Sequence, residues 1–177
     1  MNQLELLRIF YIHNTAKLAR VKLPESTEWV LHATTSLAQL GPDTAASAAQ
    51  LAEHYGLPVA YLSKQLQALV RAGVLTAGTG PRGGFRLARP AAQITLLQVV
   101  EAVDGGSPFY TCSEIRQRGR GAVPPQECRK ACSLAARMAE AEAAWRESLA
   151  AVTIADIVAG LPSGVPERTR ALLARPR

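Results

Sequence analysis

The run from Ala46 to Ala88 constrains this chain most, because two short amphipathic segments flank "YGLP" and a glycine-rich "GTGPRGG" follows the second. Ala46 to Tyr55 and Val59 to Ala72 both place apolar residues at helical spacing, and two short helices separated by a tight turn containing Gly56 and Pro58 are the helix-turn-helix signature. In the second segment Leu62, Leu66, Leu69 and Val70 form the apolar stripe, which leaves Tyr61, Ser63, Lys64 and Gln67 facing outward. Gly73 closes that helix, and "VLTA" and "FRLA" then read as two strands joined by the glycine-rich tip that carries Arg82. A hairpin placed directly after a helix-turn-helix is a wing.

Such a unit has a chemistry. Gln67 and Ser63 can read base edges in a major groove, Lys64 can reach guanine or phosphate, and Tyr61 lies on the same outward face. Arg82 on a thin glycine tip suits the negative potential of a minor groove, with Arg86 beside it on the second strand. The charge distribution agrees: the net charge is +6, and no acidic residue lies between Glu53 and Glu101, whereas Lys64, Arg71, Arg82, Arg86 and Arg89 all do. A basic surface confined to these elements points to double-stranded DNA, the alternative being a winged helix used only for protein contacts.

Around this unit the chain divides simply. Residues 1–20 are an N-terminal extension that ends before Pro24, and residues 21–106 make up the winged helix-turn-helix domain, which begins with a helix from Thr27 to Leu40 and ends with one from Ile94 to Gly106. Residues 107–127 form a cysteine-containing loop. Residues 128–160 hold a long helix from about Cys128 to Val152 and a short terminal helix, and residues 161–177 are a flexible tail. The long helix carries Leu134, Met138, Ala141, Trp145 and Leu149 on one stripe, which a second copy of the chain would bury. Two copies would present two recognition helices to a palindromic operator whose half-sites lie roughly 34 Å apart. The expected fold class is therefore mainly α: a winged helix-turn-helix with a long C-terminal dimerisation helix.

Two groups of polar residues remain. Glu28 and His32, in "TEWVLH", stand four apart and share a helix face. A glutamate in a first turn is favoured by the helix dipole and the histidine can be a satisfied neighbour, so a structural role and a functional one both stand. Cys128 and Cys132 are also four apart, with Cys112 upstream across the loop. On one helix Cys128 and Cys132 would converge, and Arg129, Lys130 and a helix N-terminus would favour their thiolates. Three clustered cysteines without a secretory leader suit a thiol pair, a zinc site or an iron–sulfur centre, and spacing alone does not choose among them.

These segments together resemble a known family. "VKLPESTEWVLHATTSLAQL", "YLSKQLQALVRAGVL" and "GPRGGFRL", with cysteines and a Trp-bearing helix downstream, are similar to the Rrf-type winged-helix transcription regulators, the superfamily of IscR and NsrR. The resemblance covers Val21 to about Gly160. It implies a homodimeric DNA-binding regulator with an iron–sulfur cluster held by cysteines of one chain and the first helix of the other. The order Glu28, Trp29, His32 is that of the RsrR-type branch, whose [2Fe–2S] cluster has two cysteines, a glutamate and a histidine as ligands. Carried over, Glu28 and His32 would hold one iron and Cys128 and Cys132 the other, with Cys112 as the alternative ligand. Trp29, adjacent to the ligands, would be the redox relay, and the protein a redox-sensing repressor. The family's usual start falls at "VKL", which implies translation from Val21.

Other classes fit less well. No run approaches the ~18 apolar residues of a membrane span, and the start lacks a cleavage site, so the expected location is the cytoplasm. An enzyme is not expected: "HExxH" is absent, and two thiolates with Glu28 and His32 would close a tetrahedral zinc site to substrate. The remaining rival is a winged-helix regulator that uses its cysteine thiols or zinc without an iron–sulfur cluster.

Overall fold

A computed structural model describes residues 23–42, 44–80, 83–129 and 132–173. Arg82, Lys130 and the segment 1–20 lie outside the described residues. The elements in chain order are α1 (Glu25–Leu40), α2 (Ala48–Tyr55), α3 (Val59–Arg71), β1 (Leu75–Gly78), β2 (Gly84–Leu87), α4 (Leu96–Asp104), α5 (Ser133–Ala150), α6 (Ile154–Ala159) and α7 (Val165–Leu173). The molecule is mainly helical with one two-stranded antiparallel sheet, in which Leu75 pairs with Leu87 and Thr76 with Arg86.

The core forms where α1 meets α3, α4, α6 and α7. Val30, Ala33, Leu37 and Leu40 of α1 pack with Leu62, Leu66 and Leu69 of α3, Val99 of α4 and Ile154 of α6. The helix-turn-helix is set by local chemistry. Ser47 and Gln50 form a capping box at the start of α2. Gly56 adopts the left-handed conformation that ends α2, so Leu57 can donate to the Ala52 carbonyl and the chain can turn into α3. Ala46 makes a two-bond bridge to Phe85, which ties the entry of α2 to the wing. Gly84 is required there: with φ of +139°, an added Cβ would stand 2.7 Å from the Ala46 backbone.

Three boundaries differ from the sequence reading. α1 begins at Glu25 after Pro24, two residues ahead of the expected Thr27, which is buried inside the first turn with its hydroxyl unpaired among the described residues. The long helix begins at Ser133, because Cys132 before it is extended, with ψ of 131°, and a separate 3-10 turn over Pro125–Cys128 precedes it. Cys128 and Cys132 are therefore not two positions on one helix face. The expected flexible tail is helical over Val165–Leu173, since Leu173 and Thr169 bury themselves against α1 and α2. Arg170 donates to the Gln39 carbonyl and Gln50 to the Leu173 carbonyl, which fixes that docking.

α5 stands apart from this core. It runs alongside α4, joined by the Arg146–Glu101 ion pair, and none of its residues is buried. Trp145 packs edge-on against Phe109 at 4.6 Å, while Leu134 is 57% exposed. After α5 the chain returns to the core through a bridge between Thr95 and Thr153. No helix among the described residues is long and apolar enough to cross a membrane.

Candidate functional site

The outward face of α3 is as the helical period demands. Leu62, Leu66 and Leu69 are buried, and Tyr61, Lys64 and Gln67 are exposed, with Ser63 partly so. Arg86 projects from β2 and donates to the Thr76 hydroxyl across the hairpin. Arg89 is a structural residue instead: it donates to the Gly73 and Gln93 carbonyls and to the Gln98 side chain, clamping the end of α3 to the start of α4.

Glu28 and His32 are both exposed, one turn apart on α1, and neither side chain has a hydrogen bond or ion pair among the described residues. They line an open groove with Trp29, Tyr55 and Leu57. Trp29, half-buried, meets Tyr61 of α3 edge-on with centroids 5.3 Å apart. Tyr55 of α2 packs its ring 5.8 Å from the His32 ring and donates its hydroxyl to the His32 carbonyl at 3.1 Å. The groove thus lies where the first helix touches both helices of the helix-turn-helix. Tyr55 was not singled out from sequence; the only signal was an aromatic residue closing α2 at the turn.

The cysteines gather around a second centre. Cys132 caps the N-terminus of α5, where the amides of Ala135 and Leu134 stabilise its thiolate and, with Arg116 nearby, hold its pKa below the ordinary thiol range. Tyr110 is pushed up by burial and by the nearby Cys112 and Cys132. Arg116 makes a bidentate pair with Glu114, at 2.6 and 2.9 Å, which lowers the Glu114 carboxyl and raises the guanidinium, helped by Cys128 and Cys132. Glu114 reaches that pair from a left-handed conformation, φ +51°, unusual for a residue with a side chain. Cys132 is the member common to both neighbours, Tyr110 and Arg116.

Among the described residues no three potential metal donors of one chain come together. Glu28 and His32 offer two donors on α1, and the cysteines offer thiolates at the start of α5. In a single copy the two pairs do not form one site.

Comparison with known proteins bears on the whole assembly. Residues 23–160 match the family described as "Rrf2: Iron-dependent Transcriptional regulator". The chain is 34% identical over 113 residues to protein aau3 of Rhizobium meliloti, covering 64% of this chain and 70% of that protein. It is 36% identical over 69 residues to the transcriptional regulator IscR of Cereibacter sphaeroides, covering 39% of this chain and 44% of that one. The fold is shared with the solved structure of CymR, described as the global cysteine regulator of B. subtilis, at a TM-score of 0.61 and 20% identity, covering 81% of this chain and all of that one. With the helix-turn-helix, wing and capped helices in place, the chain belongs to the Rrf2 family of DNA-binding transcription regulators.

Proposed function

We propose that this regulator is a redox-sensing homodimeric repressor in the cytoplasm, whose [2Fe–2S] cluster is shared between copies and sets its affinity for a palindromic operator. One observation carries the reading: the exposed donor pair Glu28 and His32 brackets Trp29, and Trp29 touches Tyr61 on the exposed face of α3. A change at the donor pair reaches the DNA-reading surface through one side chain.

The donor chemistry suits the cluster. Glu28 and His32 of one copy would hold one iron, and Cys132 of the other copy would hold the second together with Cys112 or Cys128. Cys112 and Cys132 share Tyr110 as a neighbour, and Cys128 and Cys132 share Arg116; the helical argument for Cys128 is lost with the 3-10 turn, and Cys112 is the proposed partner of Cys132. Such a centre supplies one-electron redox chemistry at a potential that histidine ligation raises above that of all-cysteine ferredoxin clusters.

The chain's own part is mechanical. Lys64, Gln67, Ser63, Tyr61 and Arg86 form the DNA surface, with Arg82 at the wing tip, and α5, with no buried residue, offers its stripe to the second copy. Trp29 acts as the redox relay: a shift in the first turn of α1 moves the indole against Tyr61 and so biases the spacing of the two recognition helices. A useful switch needs a coupling of about 1–3 kcal/mol between the two sites.

Anaerobic purification of wild type beside Glu28→Ala and His32→Ala tests this. The expected result is a coloured wild type with iron and sulfide in equal amounts and an altered visible spectrum in both variants. An unchanged spectrum in both removes Glu28 and His32 from the ligand set.

A second reading has its own support. The stabilised thiolate of Cys132 and the shared neighbour of Cys112 and Cys132 suit a reversible disulfide. Colourless, metal-free wild-type protein whose DNA affinity responds to thiol oxidation would favour it.

A further inference from the structure

Tyr55 closes α2 at the mouth of the turn into α3, with its ring between His54, at 4.7 Å, and His32, at 5.8 Å. Its hydroxyl lies 3.1 Å from the His32 carbonyl oxygen and 2.6 Å from the Ser36 hydroxyl. A carbonyl only accepts, so the tyrosine proton goes to His32, and the Ser36 hydroxyl must then donate to the tyrosine oxygen. The helix already directs the Ser36 amide at that same carbonyl, four residues back. Both acceptor positions of the His32 carbonyl are thereby used, one by α1 itself and one by α2.

The far end of α2 is held. Ser47 and Gln50 cap it, Ala46 is bridged to Phe85 of the wing, and Gln50 donates to the Leu173 carbonyl of α7. With its start fixed, a displacement at the last residue of this two-turn helix would change its tilt more than its position. The pulled end leads directly through Gly56, Leu57 and Pro58 into α3, and Leu57 lines the same groove as His32.

We propose that Tyr55 is a positioning residue: its hydroxyl ties the His32 turn of α1 to the last turn of α2, giving the donor pair a second path into the helix-turn-helix that is separate from Trp29 and Tyr61. This rests on the reading of Glu28 and His32 as the sensing end. Trp29 reaches the exposed face of α3, whereas Tyr55 sets the angle at which α2 delivers the chain to it. The two paths act on different ends of the recognition unit.

The test uses the full chain with Tyr55→Phe and Ser36→Ala, each reconstituted anaerobically with iron and sulfide. The DNA probe is a duplex selected by the wild-type chain from a random pool. Tyr55→Phe keeps the ring and loses only the hydroxyl, so iron and sulfide per chain are expected to match wild type. The ratio of DNA affinities between oxidised and reduced protein is expected to fall by about fivefold or more, the lower end of ordinary allosteric couplings. Ser36→Ala leaves the Tyr55–His32 bond and is expected to keep most of the ratio. A wild-type ratio in Tyr55→Phe overturns the proposal. If wild type takes up no iron or sulfide, the ligand reading fails by itself, and the tie is read in metal-free protein by amide hydrogen exchange. Tyr55→Phe should then raise exchange in residues 32–36 and 52–57 together; a rise confined to 52–57 overturns it.

Discussion

The indole of Trp29 meets the ring of Tyr61 edge-on, with centroids 5.3 Å apart and planes at 78°. The residue between Glu28 and His32 on α1 thus touches Tyr61, an outward residue of α3 that is 47% exposed. Edge-to-face pairs of this kind contribute about 0.5–1.5 kcal/mol beyond their buried area, enough to bias a side-chain position without locking it.

Replacing Trp29 by alanine should therefore weaken the dependence of DNA affinity on the oxidation state, leaving only the share carried by Tyr55, while DNA binding itself stays within a few-fold. Trp29→Phe retains an edge for Tyr61 and should keep part of the response. Fluorescence anisotropy on a selected duplex, with protein oxidised and reduced, reads both. Full redox control in Trp29→Ala would remove the relay.

The three cysteines separate by substitution. Cys132→Ser should abolish iron and sulfide retention, since Cys132 shares Tyr110 with Cys112 and Arg116 with Cys128 and so belongs to both proposed pairings. Of the other two, Cys112→Ser should lose the cluster and Cys128→Ser should retain it. The opposite pattern would assign the site to Cys128 and Cys132.

Metal-free protein should show Cys132 alkylated at lower pH than the same residue in urea. Its thiolate is stabilised by the Ala135 and Leu134 amides and by Arg116. A folded-state pKa below the unfolded value means that this contribution to stability is full above the unfolded thiol pKa and is lost as pH falls through the folded one. Mass-spectrometric alkylation profiles of the native and denatured chain measure the difference; coincident profiles would deny it.

The proposed DNA surface should divide by the kind of group each side chain would meet. Lys64→Ala and Arg86→Ala should weaken binding on all sequences alike. Each should also make the slope of log affinity against log salt shallower by about 0.9, the share of one neutralised phosphate. Gln67→Ala should act on sequence preference, costing about 1–3 kcal/mol on the selected duplex and little on random DNA. Titrations at several salt concentrations distinguish these outcomes.

Leu173→Ala tests the last helix. The side chain is 2% exposed and packs into the main core, but it lies at a helix end that can relax, so a loss near ~2 kcal/mol is expected, the low end for such truncations. Urea denaturation reads it. A change below a few tenths would mean that α7 is not docked.

Much of this molecule was legible in the sequence because its signals are local. The helical period of Leu62, Leu66 and Leu69, the Gly56 turn and the glycine-flanked wing act over one or two turns of chain, so they define the recognition unit wherever it is placed. The same period put Glu28 and His32 on one face. It also misled: Leu134 to Leu149 invited the long helix to be carried back to Cys128, although the chain is extended at Cys132 and Cys128 ends a separate 3-10 turn, and the polar composition of "SGVPERTRALLARPR" hid a helix whose few apolar residues find a core.

The sequence by itself determined which residues turn outward, which turns the chain must take and which side chains are able to ligate iron or meet DNA. Only the tertiary structure decided that Trp29 rests on Tyr61, that Tyr55 donates to the His32 carbonyl, and that Cys132 caps α5 beside Arg116. Those contacts join residues 16 to 32 positions apart on separate elements, and no local period specifies them. The first two follow from how α1, α2 and α3 share one core, because the angle at which buried leucines pack sets which exposed side chains meet.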